Sequence, residues 1–162
     1  VPFDPTTGTA LPLANVGTIS VKETDAVLQS MVFKYVTDRE TYNRLDNDLR
    51  IQSVVARSTG RARESLREVW SENSEHYPPR AYGENARLDV EVKSVTAIGN
   101  NRAQARIVKR LTSNRGNSEG TFLVTLAYNF KPEKARDLKT VWENPFGFSV
   151  SEYSVVSERF TQ

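Results

Sequence analysis

Apolar positions follow two different periods along the chain, helical in the first half and strand-like in the second. Residues 1–22 hold clustered prolines and glycines, so we expect an extended lead-in with a short strand at residues 16–21. Thr24 and Asp25 can cap a helix, because a short side-chain oxygen accepts a free backbone N–H. That helix is predicted to run to about Arg39.

The first helix carries more apolar side chains than one core-facing stripe requires. Its apolar positions between Val27 and Val36 cover more than half of the helix circumference. Two interpretations stay open: a central helix buried on most sides, or a helix with a second apolar side for self-association. On the second interpretation, the candidate dimer surface consists of Met31, Val32 and Tyr35.

Two more helical segments are predicted, at about residues 41–58 and 62–75. Pro78 and Pro79 follow them and are expected to end helical structure. Helices that come first, with strands after them, indicate the α+β fold class.

Beyond these prolines, apolar and polar positions alternate as they do in half-buried strands. Asn100 and Asn101 tolerate the positive φ of a hairpin turn, and a polar loop is predicted at residues 113–120. Short connections make the strands antiparallel neighbours, so the helices are expected to pack on a four-stranded sheet. The predicted strands lie at about residues 88–93, 102–112, 121–130 and 148–156.

A sharp turn precedes the last predicted strand. Asn144, Pro145 and Gly147 occupy the first, second and fourth places of a four-residue turn, as type I turns prefer. Phe148 begins the strand and is predicted to enter the core, whereas Phe146 lies in the turn itself. The turn carries no catalytic group, so we interpret it as a recognition point with Phe146 as an exposed anchor.

Composition limits what the protein can be. A chain of 162 residues has the length of one domain with a single core. Its net charge of +2 is too small to indicate a nucleic-acid-binding protein. The absence of cysteine excludes disulfides and thiolate chemistry, and the single histidine, His76, excludes a metal site made of several histidines.

No catalytic constellation stands out either. His76 follows a predicted helix, where a cap at the negative end of the dipole explains it better than catalysis. Asp46 and Asp48 are two apart on a predicted helix and point in different directions. Neither a phosphate-binding loop nor a zinc signature is present. We therefore predict no catalytic residues, no cofactor and no metal.

The turn and its strand resemble the Asn-Pro-x-Gly signature of a bacterial type IV secretion family. That family is the inner-membrane assembly protein known as the eighth VirB component. The pattern continues through Phe148, Val150, Tyr153 and Val155. Further segments match in the expected order, namely Arg39-Glu40-Thr41-Tyr42, Tyr82-Gly83, Val90-Glu91-Val92-Lys93-Ser94-Val95, Ala127-Tyr128 and the lead-in Asp4-Pro5-Thr6-Thr7-Gly8.

The resemblance implies a periplasmic domain with a nuclear transport factor two-like fold, in which helices pack on a curved antiparallel sheet. Family members have a short cytoplasmic tail, one transmembrane helix and this domain. The chain lacks a tail and an apolar helix, so we expect residues 1–22 to lead in from the membrane side and residues 23–162 to form the domain.

By the same resemblance, the protein is a non-enzymatic scaffold that forms weak homodimers and contacts other channel proteins. Asn144, Pro145, Phe146 and Gly147 then form the loop that the family uses in assembly. Direct contact with nucleic acid is not expected. The alternative is an enzyme or a small-ligand-binding domain, which would use the cone-shaped pocket of the same fold and place a titratable group with a shifted pKa inside it.

Overall fold

Five helices and four strands follow one another in the part of the chain that the structure, a computed structural model, describes, residues 16–132 and 137–161. The helices are α1 Val16–Glu40, α2 Asn47–Ala56, α3 Gly60–Val69, α4 Pro78–Tyr82 and α5 Leu138–Glu143. The strands are β1 Ala86–Gly99, β2 Arg102–Ser113, β3 Gly116–Phe130 and β4 Phe148–Thr161.

The chain divides into two units, Val1–Met31 and Val32–Gln162. In the first unit, residues from 16 onward are helical, so the predicted strand at residues 16–21 is wrong. Strand propensity is a weak preference, and the β-branched residues of this segment do not prevent a helix. The rest of the predicted extended lead-in, residues 1–15, lies outside the described residues. None of the described helices has the length and apolarity that a bilayer crossing requires.

The second unit contains a four-stranded antiparallel sheet in the order β1-β2-β3-β4, which confirms the predicted topology. Asn100 and Asn101 form the first hairpin turn with φ values of 54° and 57°, as predicted. The predicted loop at residues 113–120 is too long, because β2 and β3 stay paired up to Ser113 and Gly116 and only the two residues between them form the turn. This end of the hairpin is mostly exposed. Its polar residues are therefore compatible with a loop and with an exposed strand alike.

The helical segments begin and end at residues that periodicity alone does not identify. Tyr42 leaves the helix and forms an isolated bridge with Leu88, which delays the start of α2 to Asn47. Pro78 occupies the first turn of α4, where its missing N–H costs nothing, so the expectation that it ends helical structure is wrong.

The core of the second unit lies where helical side chains meet the sheet. Tyr35 packs edge-on against Phe148 of β4, with ring centroids 6.5 Å apart. The other fully buried side chains of the second unit include Val32, Val36, Val54, Ile107, Val124, Leu126 and Val150. Val32, Tyr35 and Val36 lie on one side of α1, whereas Phe33 is 52% exposed, so this part of the helix is covered on one side and not on most sides.

The opposite face of the sheet is polar and carries paired charges. Arg106 donates to both carboxylate oxygens of Glu158 at 2.8 and 3.0 Å, across the intervening strand β3. Arg102 donates to one carboxylate oxygen of Glu152 at 2.9 Å, also across β3. Hydrogen bonding from Arg106 lowers the pKa of Glu158. These exposed pairs contribute little stability, but they keep this face in water.

The end of α1 is attached to β4 by a charged cluster, which we call the Arg39 cluster. The Arg39 guanidinium lies 4.0 Å from the centroid of the Tyr153 ring and donates to the hydroxyl of Tyr35 at 3.0 Å. Glu40 accepts a hydrogen bond of 2.7 Å from the hydroxyl of Tyr153, and its other oxygen pairs with Lys109 of β2. The cluster thereby connects one helix end to two strands.

Tyr153→Phe is expected to lower the free energy of unfolding by about 1–2 kcal/mol at neutral pH, because Glu40 loses a hydrogen-bond donor. Burial, followed by the Glu40 carboxylate, raises the pKa of Tyr153 well above 10.0. Above about pH 10 the unfolded chain therefore loses this proton first, and stability falls as the pH rises.

Urea unfolding of wild type and Tyr153→Phe at about pH 8 and about pH 10.5 checks both statements. The loss of stability with pH should be smaller in the variant. Equal losses would show that the Tyr153 hydroxyl is not held as described.

Candidate partner-binding site

The turn at residues 144–147 is closed by its own asparagine. The Asn144 amide donates to the carbonyl of Phe148 at 2.8 Å, and its side-chain oxygen accepts from the Phe148 N–H at 3.0 Å. The Gly147 N–H donates to the Asn144 carbonyl at 3.1 Å, as in a β-turn. These three hydrogen bonds fix the shape of the turn without using any side chain of Pro145 or Phe146.

Gly147 is required by both conformation and space. Its φ is +59°, a value that side-chain-bearing residues rarely adopt. A Cβ atom at this position would lie 2.2 Å from the carbonyl oxygen of Lys131. The Lys131 N–H in turn donates to the Gly147 carbonyl at 3.0 Å, so the turn is attached to the end of β3.

The two phenylalanines of this segment point to different environments, as predicted. Phe148 is buried and stacks on Tyr128, with centroids 6.1 Å apart and planes 21° apart. It also contacts Phe130 at 5.4 Å. Phe146, by contrast, is 43% exposed. The aromatic core therefore anchors the strand and leaves the ring of the turn at the surface.

Helix α5, which sequence reasoning missed, adds more exposed apolar side chains directly before the turn. Trp142 is 74% exposed and Leu138 is 67% exposed. Leu138, Val141 and Trp142 have the i, i+3, i+4 spacing that places them on one side of the helix. We call Leu138, Val141, Trp142 and Phe146 the α5 apolar surface.

A capping signal in the sequence could have revealed α5. Asp137 accepts a hydrogen bond of 2.8 Å from the N–H of Thr140, and this bond lowers the pKa of the Asp137 carboxyl. The helix ends at Asn144, whose N–H donates to the Thr140 carbonyl at 2.8 Å. A cap followed by apolar residues at helical spacing predicts a helix, but six residues are too few for periodicity to stand out.

The proposed dimer surface on α1 needs correction. Val32 and Tyr35 are fully buried, so their side chains belong to the core and cannot meet a partner. Met31 belongs to the first unit and is partly exposed. Phe33 is 52% exposed and was not predicted as part of the dimer surface. Helical spacing could have indicated it, because Phe33 lies off the i, i+3, i+4, i+7 stripe formed by Val32, Tyr35, Val36 and Arg39.

A groove of about 380 Å³ opens beside the Arg39 cluster and bears on the enzyme alternative. It is lined by Glu40, Tyr153 and the exposed His76, among other residues. Tyr153 has the shifted pKa that the alternative requires, but the shift is upward and its hydroxyl is bonded to Glu40. A phenol that stays protonated is poorly matched to proton transfer near neutral pH. Among the described residues, no group of acids and histidines could hold a metal ion.

Helices packed on an open four-stranded antiparallel sheet define the nuclear transport factor two-like class of fold, as expected. Residues 1–158 match the family described as VirB8 protein, and the chain belongs to that family. It is therefore a component of type IV secretion systems, and this family is a structural part of such systems. A comparison with curated protein sequences gives no match.

Solved structures of related proteins share the fold. The VirB8 protein of Agrobacterium tumefaciens is 20% identical, with a TM-score of 0.78 over 85% of this chain and 94% of that one. A TrwG component from Bartonella birtlesii is 21% identical, with a TM-score of 0.71 over 82% and 92%. CagV, a VirB8 homologue from Helicobacter pylori, is 17% identical, with a TM-score of 0.62 over 83% and 99%.

Gly147→Ala is expected to destabilise the protein by about 2 kcal/mol or more, because of its positive φ and the contact with the Lys131 carbonyl. Asn144→Ala should cost about 1–2 kcal/mol through two lost hydrogen bonds. Phe146→Ala, at an exposed position, should stay within about 0.5 kcal/mol of wild type. Urea unfolding followed by circular dichroism measures all three, and an equal cost for all three would contradict this division.

Proposed function

We propose that this chain is a non-enzymatic scaffold on the periplasmic side of the bacterial inner membrane, anchored by a helix outside this sequence. It contacts other channel proteins through the α5 apolar surface and the turn at Asn144, Pro145, Phe146 and Gly147. The observation that carries the proposal is the exposure of Trp142 and Phe146 next to a turn fixed by internal hydrogen bonds.

The chemistry of the exposed side chains supports a contact role. Tryptophan is among the residues that most often dominate binding energy at protein interfaces. Trp142 and Leu138 keep most of their surface in water, which costs free energy unless a partner covers them. No titratable group of the turn is available for chemistry, since Asn, Pro, Phe and Gly carry none.

The rigidity of the turn supports the same conclusion. Asn144 and Gly147 hold the backbone on both sides of Phe146. Binding would therefore restrict few additional rotatable bonds of this turn. A surface that is already in its bound shape loses less entropy on association, and a small contact area can then suffice.

Replacing Trp142 and Phe146 together by alanine is expected to reduce transfer through the secretion system by at least about tenfold, because each aromatic anchor can contribute about 2 kcal/mol to an interface. The full-length variant should replace the wild-type copy in its own cell. Unfolding of the domain should stay within about 1 kcal/mol of wild type, since both positions are exposed.

The matched control changes two other exposed apolar residues, Leu45 and Leu49, to alanine. These residues are 81% and 74% exposed and lie near the start of α2, away from the turn in sequence. Wild-type transfer by the Trp142→Ala, Phe146→Ala variant, or an equal loss in the control, would refute the proposed contact surface.

A weak homodimer remains part of the proposal, with Phe33 in place of the buried Val32 and Tyr35. We expect a monomer–dimer equilibrium that depends on concentration, because a small apolar contact offset by association entropy gives modest affinity. Phe33→Ser should weaken the dimer about tenfold, given the apolar area of one aromatic ring.

Analytical ultracentrifugation of wild type and Phe33→Ser over a wide concentration range measures this equilibrium. Leu49→Ser, at another exposed apolar position, is the control and should leave the equilibrium unchanged. If wild type stays monomeric at the highest concentration, or if Phe33→Ser dimerises as wild type does, the proposed contact is wrong.

A further inference from the structure

A second groove, of about 580 Å³, is lined by aromatic side chains. Tyr42 follows α1, Trp70 ends α3, and Tyr77 precedes α4, so three separate segments contribute to the lining, with Trp70 and Tyr77 in ring contact and Tyr42 buried behind them. Pro79 completes this lining. We call Tyr42, Trp70, Tyr77 and Pro79 the aromatic groove, and it shares no residue with the α5 apolar surface.

The rings of the aromatic groove are held in position by their neighbours. Trp70 and Tyr77 meet edge to face, with centroids 6.3 Å apart and planes 86° apart. The Arg80 guanidinium lies 5.7 Å from the Tyr77 ring, and it is itself fixed by a 2.7 Å hydrogen bond to the Ser74 carbonyl. The Tyr42 hydroxyl donates to the carbonyl of Gly83 at 2.7 Å. The groove is thus formed before any ligand arrives.

Two hydrogen-bond donors of the aromatic groove remain free. Within the described part of the chain, the Trp70 indole N–H and the Tyr77 hydroxyl have no hydrogen-bond partner. Both side chains are half-buried, and neither polar atom is among the enclosed, unpaired atoms of the described residues. An aromatic surface with unused donors binds a molecule that offers apolar rings and free acceptors together.

We propose that the aromatic groove binds a proline-rich segment of a partner protein in the polyproline II conformation. That helix has no internal hydrogen bonds, so its carbonyl groups are free to accept from Trp70 and Tyr77. Its proline rings pack on aromatic side chains, and aromatic-lined grooves are the usual receptors for such segments. A helical ligand has its carbonyls already bonded within itself, and a strand would need a backbone edge, whereas this groove presents side chains.

The charges around the groove indicate a basic residue in the ligand. The carboxylates of Asp48 and Glu84 line the groove, are exposed, and form no ion pair among the described residues. Arg44 is the one cation among the lining residues, and the Arg80 guanidinium stands beside the Tyr77 ring. An arginine or lysine that flanks the proline-rich segment pairs with the free carboxylates of Asp48 and Glu84.

Fluorescence anisotropy of a labelled oligoproline peptide with an arginine at each end tests the proposal. The 162-residue chain should bind it, and should not bind a peptide of equal length and charge in which glycine and serine replace proline. Trp70→Phe and Tyr77→Phe each remove one donor and keep the ring, so each should weaken binding about three- to tenfold. Tyr128→Phe, which removes one hydroxyl outside the groove and keeps the ring, is the matched control and should bind as wild type does.

Several outcomes would overturn the proposal. They are equal binding of the glycine–serine peptide, no binding at millimolar peptide, or an equal loss of affinity in Tyr128→Phe. A shift of the monomer–dimer equilibrium by Trp70→Phe would assign the groove to a second copy instead. If Trp70→Phe does not fold, Tyr77→Phe decides alone, because it removes a single oxygen. The test is independent of the proposed scaffold contact, which depends on Trp142 and Phe146.

Discussion

The packing of α1 on the sheet depends on one charged contact, the Arg39 guanidinium stacked 4.0 Å from the Tyr153 ring. A guanidinium in a partly buried place must use its donors, and Arg39 does so on the Tyr35 hydroxyl, the Ala62 carbonyl and Ser65. Because these partners come from α1 and α3, one side chain sets the positions of two helices relative to β4.

The carboxylate of Glu40, next to Arg39, is stabilised by its own partners. Glu40 is 12% exposed at its side chain and would be costly to bury alone, but it is paired with Lys109 and receives the Tyr153 hydroxyl. The two phenylalanines before Tyr153 in the chain lie in different environments. Phe148 joins the core, and two residues earlier Phe146 stays at the surface, because the intervening Gly147 reverses the chain.

Much of the fold was predictable from local patterns. The alternation in β1 to β4 and the Asn100-Asn101 turn each depend on a few neighbouring residues, so the sheet order follows directly. The position of Phe146 was predictable for the same reason, since turn chemistry is local. Helix α5 was not, because a helix of six residues is too short for its periodicity to be read. The start of α4 at Pro78 and the pairing of β2 with β3 up to Ser113 were also missed.

By itself, the sequence determined the fold class, the turn at residues 144–147 and the family resemblance that membership confirms. Only the tertiary structure decided which side of α1 is covered, and so moved Val32 and Tyr35 from a proposed surface into the core. It also assembled the aromatic groove from Tyr42, Trp70 and Tyr77. The physical reason is that turn and strand signals act between neighbours, whereas burial depends on contacts between segments far apart in the chain.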